Sequence, residues 1–206
     1  MTTIFTAITA FIATNIDDIL ILMLFFSSRD KYLKTSHIII GQYLGFTFLI
    51  LSSLPGFFGT FIISKQYLGL LGIVPIFMGV IQLFKKSDND DDDINIKQVT
   101  EIPENQLPTS PFFSKLTYAI AAVTVANGGD NIGLYVPLFG NTNFRQLLIT
   151  LIVFYLLVGF WCYLAYRLIE YKAIATIFNR YIHVIIPFVW IGLGIFIILE
   201  SGLFKL

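Results

Sequence analysis

Long apolar runs constrain the fold of this 206-residue chain more than any other feature. Six runs come near the roughly 20 residues that an α-helix needs to cross the hydrocarbon of a bilayer. They cover about residues 3–27, 37–63, 67–84, 113–139, 144–167 and 182–204. Only 13% of the residues are charged, which is far from the average of soluble proteins. We therefore predict an all-α, polytopic membrane protein with six transmembrane helices.

Two of these runs carry polar clusters where a membrane helix would ordinarily be apolar. The polar residues are Asn15, Asp17 and Asp18 in the first run, and Asn127, Asp130 and Asn131 in the fourth. An Asp at the centre of a spanning helix opposes insertion by about 2.5 to 3.5 kcal/mol, so three oppose it by about 8 to 10 kcal/mol. A fold that keeps these residues is expected to use them, and the simplest use is to bind cations.

The spacing of the polar residues indicates how they would act together. In a helix Asn15 and Asp18 share a face, as do Asn127 and Asp130. Gly128 and Gly129, inside the second cluster, weaken a helix and can free backbone carbonyls there; the alternative is that they let helices pack closely. Two such helices meeting at the midplane would present three carboxylates and three amide carbonyls, with the Thr14 hydroxyl as a further oxygen. That is enough oxygen to replace the hydration shell of a divalent cation. We predict that all six polar residues bind metal; the alternative is that the carboxylates only hold helices together. Gln42 is a further candidate, either lining a pore or bonding between helices.

The two polar clusters belong to a weak internal repeat with an offset of 112 residues. The paired positions are Asn15 with Asn127, Asp18 with Asp130, Tyr43-Leu44 with Tyr155-Leu156, and Pro75 with Pro187. Each half would hold three helices, and an odd number makes the second half enter the membrane from the opposite side. We therefore predict a 3+3 inverted repeat formed by residues 1–84 and 113–206.

Residues 85–112 separate the two predicted halves. This segment contains the acidic stretch 87–93 and three prolines, a composition typical of a solvated linker. An alternative is that its aspartates gather metal ions, although it lacks the spaced Gly and terminal Glu of a calcium-binding loop.

Basic residues predict the orientation of the chain. Ten of the thirteen Lys and Arg residues fall in the segments after the first, third and fifth runs. The positive-inside rule then places those segments, including the acidic linker, in the cytoplasm and both termini outside. No Lys or Arg precedes the first run, which is longer than a signal-peptide core, so we expect it to be retained.

The net charge of zero indicates no nucleic-acid partner. The single Cys162 excludes an internal disulfide, and we expect it to be a buried packing residue.

Three segments of the sequence are distinctive, namely Ala13-Thr14-Asn15-Ile16-Asp17-Asp18, Gly41-Gln42-Tyr43-Leu44-Gly45-Phe46 and Val125-Ala126-Asn127-Gly128-Gly129-Asp130-Asn131-Ile132-Gly133-Leu134-Tyr135. Through these segments the chain resembles the cadmium resistance transporters of the CadD type, bacterial relatives of the lysine exporters, over nearly its whole length. The resemblance implies a small inner-membrane efflux protein that exports cadmium and confers resistance to it.

The ligand chemistry leaves the choice of cation open. Cadmium is soft and favours thiolates, whereas the predicted site offers oxygens, which suit manganese, magnesium or calcium. Other cations, organic cations among them, therefore remain alternatives. Protons are the expected coupling ion because the chain has no nucleotide-binding motif.

An intramembrane aspartyl protease would also need two membrane-embedded Asp residues. The second cluster lacks the Gly-x-Gly-Asp of such proteases, and no Tyr precedes Asp17 and Asp18. We therefore expect a transporter without enzymatic activity and without a cofactor. The sequence does not indicate an oligomeric state.

Overall fold

The computed structural model describes residues 2–59, 70–84, 114–169, 187–199 and 201. Within these ranges the regular elements are helices, which confirms the all-α prediction. They are α1 Thr2–Asn15, α2 Asp18–Ser27, α3 Thr35–Gly59, α4 Ile73–Phe84, α5 Lys115–Asn127, α6 Gly129–Gly140, α7 Phe144–Leu168 and α8 Pro187–Leu199, with a 3-10 turn at Leu70–Gly72. The predicted acidic linker, residues 85–112, lies outside the described residues.

Two of the predicted runs are interrupted at their polar clusters. The first run forms α1 and α2, whose axes differ by 59° across a break at residues 16 and 17. The fourth run forms α5 and α6, which are separated by Gly128. The expectation of a continuous helix through the first cluster is therefore wrong, and the second cluster is interrupted at Gly128, one of the two glycines that weaken a helix there. Asn15 ends α1 while Asp18 begins α2, so these side chains do not share the face of one continuous helix.

The described helices differ in their capacity to cross a membrane. By length and apolar composition α3 and α7 qualify, and the bent pair of α1 and α2 qualifies if it forms one span. The helices α4 and α8 are apolar but shorter. The described part of the chain therefore contains two candidate spans, or three with the bent pair. The six-span, 3+3 inverted arrangement stays a prediction.

Helix order follows the predicted 112-residue offset. The last residue of α1, Asn15, pairs with Asn127, the last residue of α5. A short second helix and then a 25-residue helix follow each break, namely α2 and α3 in one half and α6 and α7 in the other. Tyr43 and Tyr155, which are also paired positions, stack with ring centroids 6.2 Å apart and planes 7° apart. The breaks therefore occur at corresponding places in the two halves.

Small residues let the helix pair α3 and α5 pack closely. A Cβ placed on Gly45 of α3 would lie 2.6 Å from Thr124 Cβ and 2.8 Å from the Ala121 carbonyl oxygen of α5. Gly41, one turn earlier, is equally confined, with Ile120 Cβ at 2.8 Å. Because lipid supplies little hydrophobic force between helices, such close contact is a principal source of stability in membranes.

The remaining core is aromatic. Phe11 of α1 packs against Phe46, Phe154 and Trp161, with ring centroids between 5.3 and 5.8 Å away. These rings join α1 to α3 and α7, and so they fix the position of the helix that ends at Asn15. Cys162 is buried beside them on α7, as predicted for a packing residue.

Candidate cation site

Asp18 is held by side chains from two other helices. Its Oδ1 accepts a hydrogen bond from Asn127 Nδ2 at 2.7 Å, and its Oδ2 accepts one from Gln42 Nε2 at 3.2 Å. The oxygen of Gln42 in turn accepts from the Thr124 hydroxyl at 2.7 Å. The side chain of Asp18 is only 6% exposed. This carboxylate therefore joins the break in the first half to α3 and to the end of α5.

Asn15 lies in a second polar group, at the end of α1. Its Nδ2 donates to the Tyr135 hydroxyl and to Thr14 Oγ1, both at 2.8 Å. The Thr14 and Tyr135 hydroxyls are themselves 2.8 Å apart. All three side chains are buried, and Tyr135 belongs to α6 of the other half. Three polar groups from the two halves thus satisfy one another away from solvent.

The Asn131 amide lies among oxygen atoms from both halves. In one orientation its Nδ2 donates to Asn15 Oδ1 at 3.1 Å. Turned over, its nitrogen would lie 2.9 Å from the Thr14 carbonyl oxygen and 3.1 Å from Asp130 Oδ1. Amide oxygen and nitrogen have nearly the same shape, so either orientation fits the space. The surroundings of Asn131 are rich in the oxygen atoms that a hard or borderline cation requires.

The three carboxylates lie near one another without forming a single cluster. Asp130 accepts a hydrogen bond from the backbone N–H of Asn131 at 2.9 Å, and the charges of Asp18 and Asp17 both act on it. Asp130 and Asp17 are each partly exposed. Among the described residues, no three His, Cys, Asp or Glu side chains form a group that could hold a metal ion. The site is therefore built from carboxylate–amide pairs.

Two tryptophans bond to the backbone at the end of α1. Trp161 Nε1 of α7 donates to the Asn15 carbonyl oxygen at 2.7 Å. Trp190 Nε1 of α8 donates to the Ala13 carbonyl oxygen at 3.1 Å. The last four carbonyls of a helix have no partner within the helix, and inside a bilayer each unpaired group costs several kcal/mol. The two indoles therefore allow α1 to end in the interior of the protein.

The structure brings the two predicted clusters together. Asp18 contacts Asn127, and Asn15 contacts Asn131, so each contact joins one half of the chain to the other. Asp130 lies beside Asn131, while Asp17 lies at the break between α1 and α2. The role of these six residues as metal ligands stays a prediction.

Several residues of the site carried little signal in the sequence. Gln42 was a candidate on polarity alone, and it does bond between helices. Tyr135, Trp161 and Trp190 are indistinguishable in the sequence from aromatic residues that only fill a membrane core. A pattern of single aromatic residues gives no indication of which hydroxyl or N–H group will find a buried partner.

The side-chain amides of Asn127 and Gln42 can act either as hydrogen-bond donors or as oxygen ligands. In the structure the nitrogen ends of Asn127 and Gln42 face the Asp18 carboxylate. Rotating either amide about its terminal torsion would present the oxygen end instead. The same side chains can therefore stabilise the carboxylate by hydrogen bonds or contribute oxygen ligands to a cation beside it.

Interrupted helices that meet at a buried polar centre are a feature found among secondary transporters. A family model for the cadmium resistance transporters matches residues 11–206, nearly the whole chain, and the protein belongs to that family. A comparison with curated proteins found no match, and a comparison with solved structures found none either.

Proposed function

We propose that the protein is a secondary transporter that exports divalent cations, cadmium foremost, from the cytoplasm. The observation that carries this proposal is the pairing of the two polar clusters across the halves, Asp18 with Asn127 and Asn15 with Asn131, at the helix breaks. Membership of the cadmium resistance transporters supports cadmium as the substrate. Carboxylate and amide side chains at interrupted membrane helices commonly line the pathway of a transported cation.

The proposed mechanism uses the carboxylates in two states. Asp17, Asp18 and Asp130 form no single cluster in the described structure, so they would come together around the cation when ionised, and Asn15, Asn127 and Asn131 would add carbonyl oxygens. When the site opens to the outside, protons replace the cation on the carboxylates, and the protonated site returns. Exchange of one divalent cation for two protons would leave the charge of the site unchanged. This gives proton antiport, with the two halves rocking around the site.

An oxygen site is compatible with export of a soft ion. Oxygen ligands hold cadmium less tightly than thiolates do, and a weaker site releases its ion faster. An exporter must release its ion outside the cell as well as bind it inside. The same ligands would hold manganese or calcium, which are the competing substrates to test.

Expression of the protein in a metal-sensitive bacterial host is expected to raise cadmium tolerance and to lower cell-associated cadmium. A panel of cadmium, manganese, calcium and an organic cation, assayed by growth and by elemental analysis of washed cells, separates the alternatives. Unchanged cadmium together with reduced manganese would assign the protein to a harder ion.

The proposed orientation places both termini outside and the segments after α2, α4 and α7 in the cytoplasm. Reporters of compartment fused after Lys86 are expected to report cytoplasm, and those fused at Leu206 the outside, because Lys and Arg residues are concentrated in the former segments. A cytoplasmic reporter signal at Leu206 would exclude the 3+3 inverted arrangement.

A further inference from the structure

The two helix breaks are held by different kinds of contact. At the break between α1 and α2, the indole N–H groups of Trp161 and Trp190 bond to the carbonyl oxygens of Asn15 and Ala13. Both tryptophans are buried, at 6% and 1% exposure, so water does not compete effectively for these bonds. A hydrogen bond in such surroundings is electrostatically stronger than one exposed to water.

The paired positions in the other half carry apolar side chains. Leu49 precedes Trp161 by 112 residues, and Met78 precedes Trp190 by the same offset. Both contact the second broken run: a Cβ placed on Gly128 would collide with Leu49, and one placed on Gly133 would lie 2.7 Å from Met78 Sδ. The side chains of Leu and Met have no N–H group to donate. The break between α5 and α6 therefore has packing in the places where the first break has hydrogen bonds.

The second break also has space beside it. Gly129 is exposed, and among the described residues no atom lies within 4 Å of a Cβ placed on it. Gly129 precedes Asp130, whose carboxylate is bonded to the backbone of its own segment. Gly128 is packed against Leu49, so the freedom lies at Gly129, where a change in backbone angles would shift Asp130 with little hindrance from the described residues.

We infer that Trp161 and Trp190 are positioning residues that fix the break between α1 and α2, so that cation transport proceeds by movement of the break between α5 and α6. Asn15 and Asp18 form the stationary part of the site, while Asn127, Asp130 and Asn131 move relative to it. The transport part of this inference rests on the proposed function.

Amide hydrogen exchange of the purified full-length protein tests the fixed break without any cation. The segments to compare are 13–20 and its counterpart 125–132. In Trp161→Phe and Trp190→Phe, which keep an aromatic ring but lose the N–H, exchange in 13–20 is expected to rise about tenfold, with 125–132 little changed. Leu49→Met and Met78→Leu are the matched controls at the paired positions and should leave 13–20 unchanged. Equal acceleration of both segments, or none in 13–20, would overturn the inference.

Adding cadmium to the unsubstituted protein tests which break moves. Exchange in 125–132 is expected to change more on cadmium addition than exchange in 13–20, where the ligands Asn15 and Asp18 bind the ion without moving. A larger response in 13–20 than in 125–132 would overturn the assignment of the stationary half.

Transport kinetics distinguish positioning from a general loss of stability. In reconstituted Trp161→Phe and Trp190→Phe, the KM for cadmium is expected to rise about tenfold with kcat within about twofold, because the stationary ligands are misplaced while the moving half is intact. A fall in kcat at unchanged KM would contradict the positioning role. If the unsubstituted protein moves no cation at all, the proposed function fails, while the cation-free exchange comparison still decides whether the tryptophans fix the first break.

Discussion

Asp18→Asn and Asp130→Asn are each expected to reduce cadmium export to the level of cells that lack the protein. The change keeps the size of the side chain and removes its charge. One acceptor oxygen becomes an NH2 donor, which at Asp18 can be met if the Asn127 or Gln42 amide turns its oxygen toward it. Each change removes one of the three carboxylates proposed to hold the cation and to exchange it for protons, and burying a divalent cation with less counter-charge is very costly. Insertion should be normal or improved, because an Asp in the middle of a membrane helix opposes insertion by about 2.5 to 3.5 kcal/mol.

The measurement for these variants is cadmium efflux from loaded cells, normalised to the amount of membrane-inserted protein. The acidic linker provides the control, since Asp90, Asp91, Asp92 and Asp93 can be changed to Asn together. That variant should transport almost normally, because the linker is predicted to be solvated and charges in solvent are screened by salt. Near-normal efflux in both helix variants, or loss of efflux only in the linker variant, would move the site to another part of the chain.

The double substitution Gly41→Ala and Gly45→Ala is expected to have the largest effect on stability. The new Cβ atoms would lie 2.8 Å from the Thr117 and Ala121 carbonyl oxygens of α5, which are backbone atoms and cannot turn away. Overpacking of a close contact costs about 1 to 3 kcal/mol per site, so α3 and α5 should separate. Gln42 and Thr124 lie on this same pair of helices. When the helices separate, the hydrogen bond from Gln42 to Asp18 should therefore be lost as well.

Thermal unfolding of the detergent-solubilised protein measures this effect. Gly192→Ala in α8 is the matched control, since no atom of the described residues lies within 4 Å of a Cβ placed there. Alanine also favours a helix over glycine by up to about 1 kcal/mol, so the control should unfold at the same temperature or higher. A double variant as stable as the control would mean that α3 and α5 do not depend on their close contact.

The helices were predictable because their signal is local. The described part of each of the six apolar runs is helical, since the backbone in a low-dielectric environment must satisfy its own hydrogen bonds. The break after Asn127 was also partly visible, because Gly128 and Gly129 weaken a helix. The break after Asn15 was not, because residues 16 and 17 are Ile and Asp, with no Gly or Pro beside them. It depends on Trp161 and Trp190, which lie in distant helices.

The site shows the same division between local and distant information. Buried polarity identified the two clusters, and in the structure Asp18 contacts Asn127 and Asn15 contacts Asn131. The specific partners could not be deduced from the spacing. Asn15 pairs with Asn131 and with Tyr135, and neither pairing follows the repeat. Differences between two halves of a repeat arise from single side chains, and the repeat itself carries no information about them.

Equilibrium binding of radioactive cadmium to the purified protein tests the central claim most directly. The unsubstituted protein is expected to bind cadmium saturably, with binding weakened as protons are added, and the Asp18→Asn, Asp130→Asn double variant is expected to lose that binding while remaining folded. Undiminished, saturable binding by the folded double variant would contradict a cation site built on these two carboxylates.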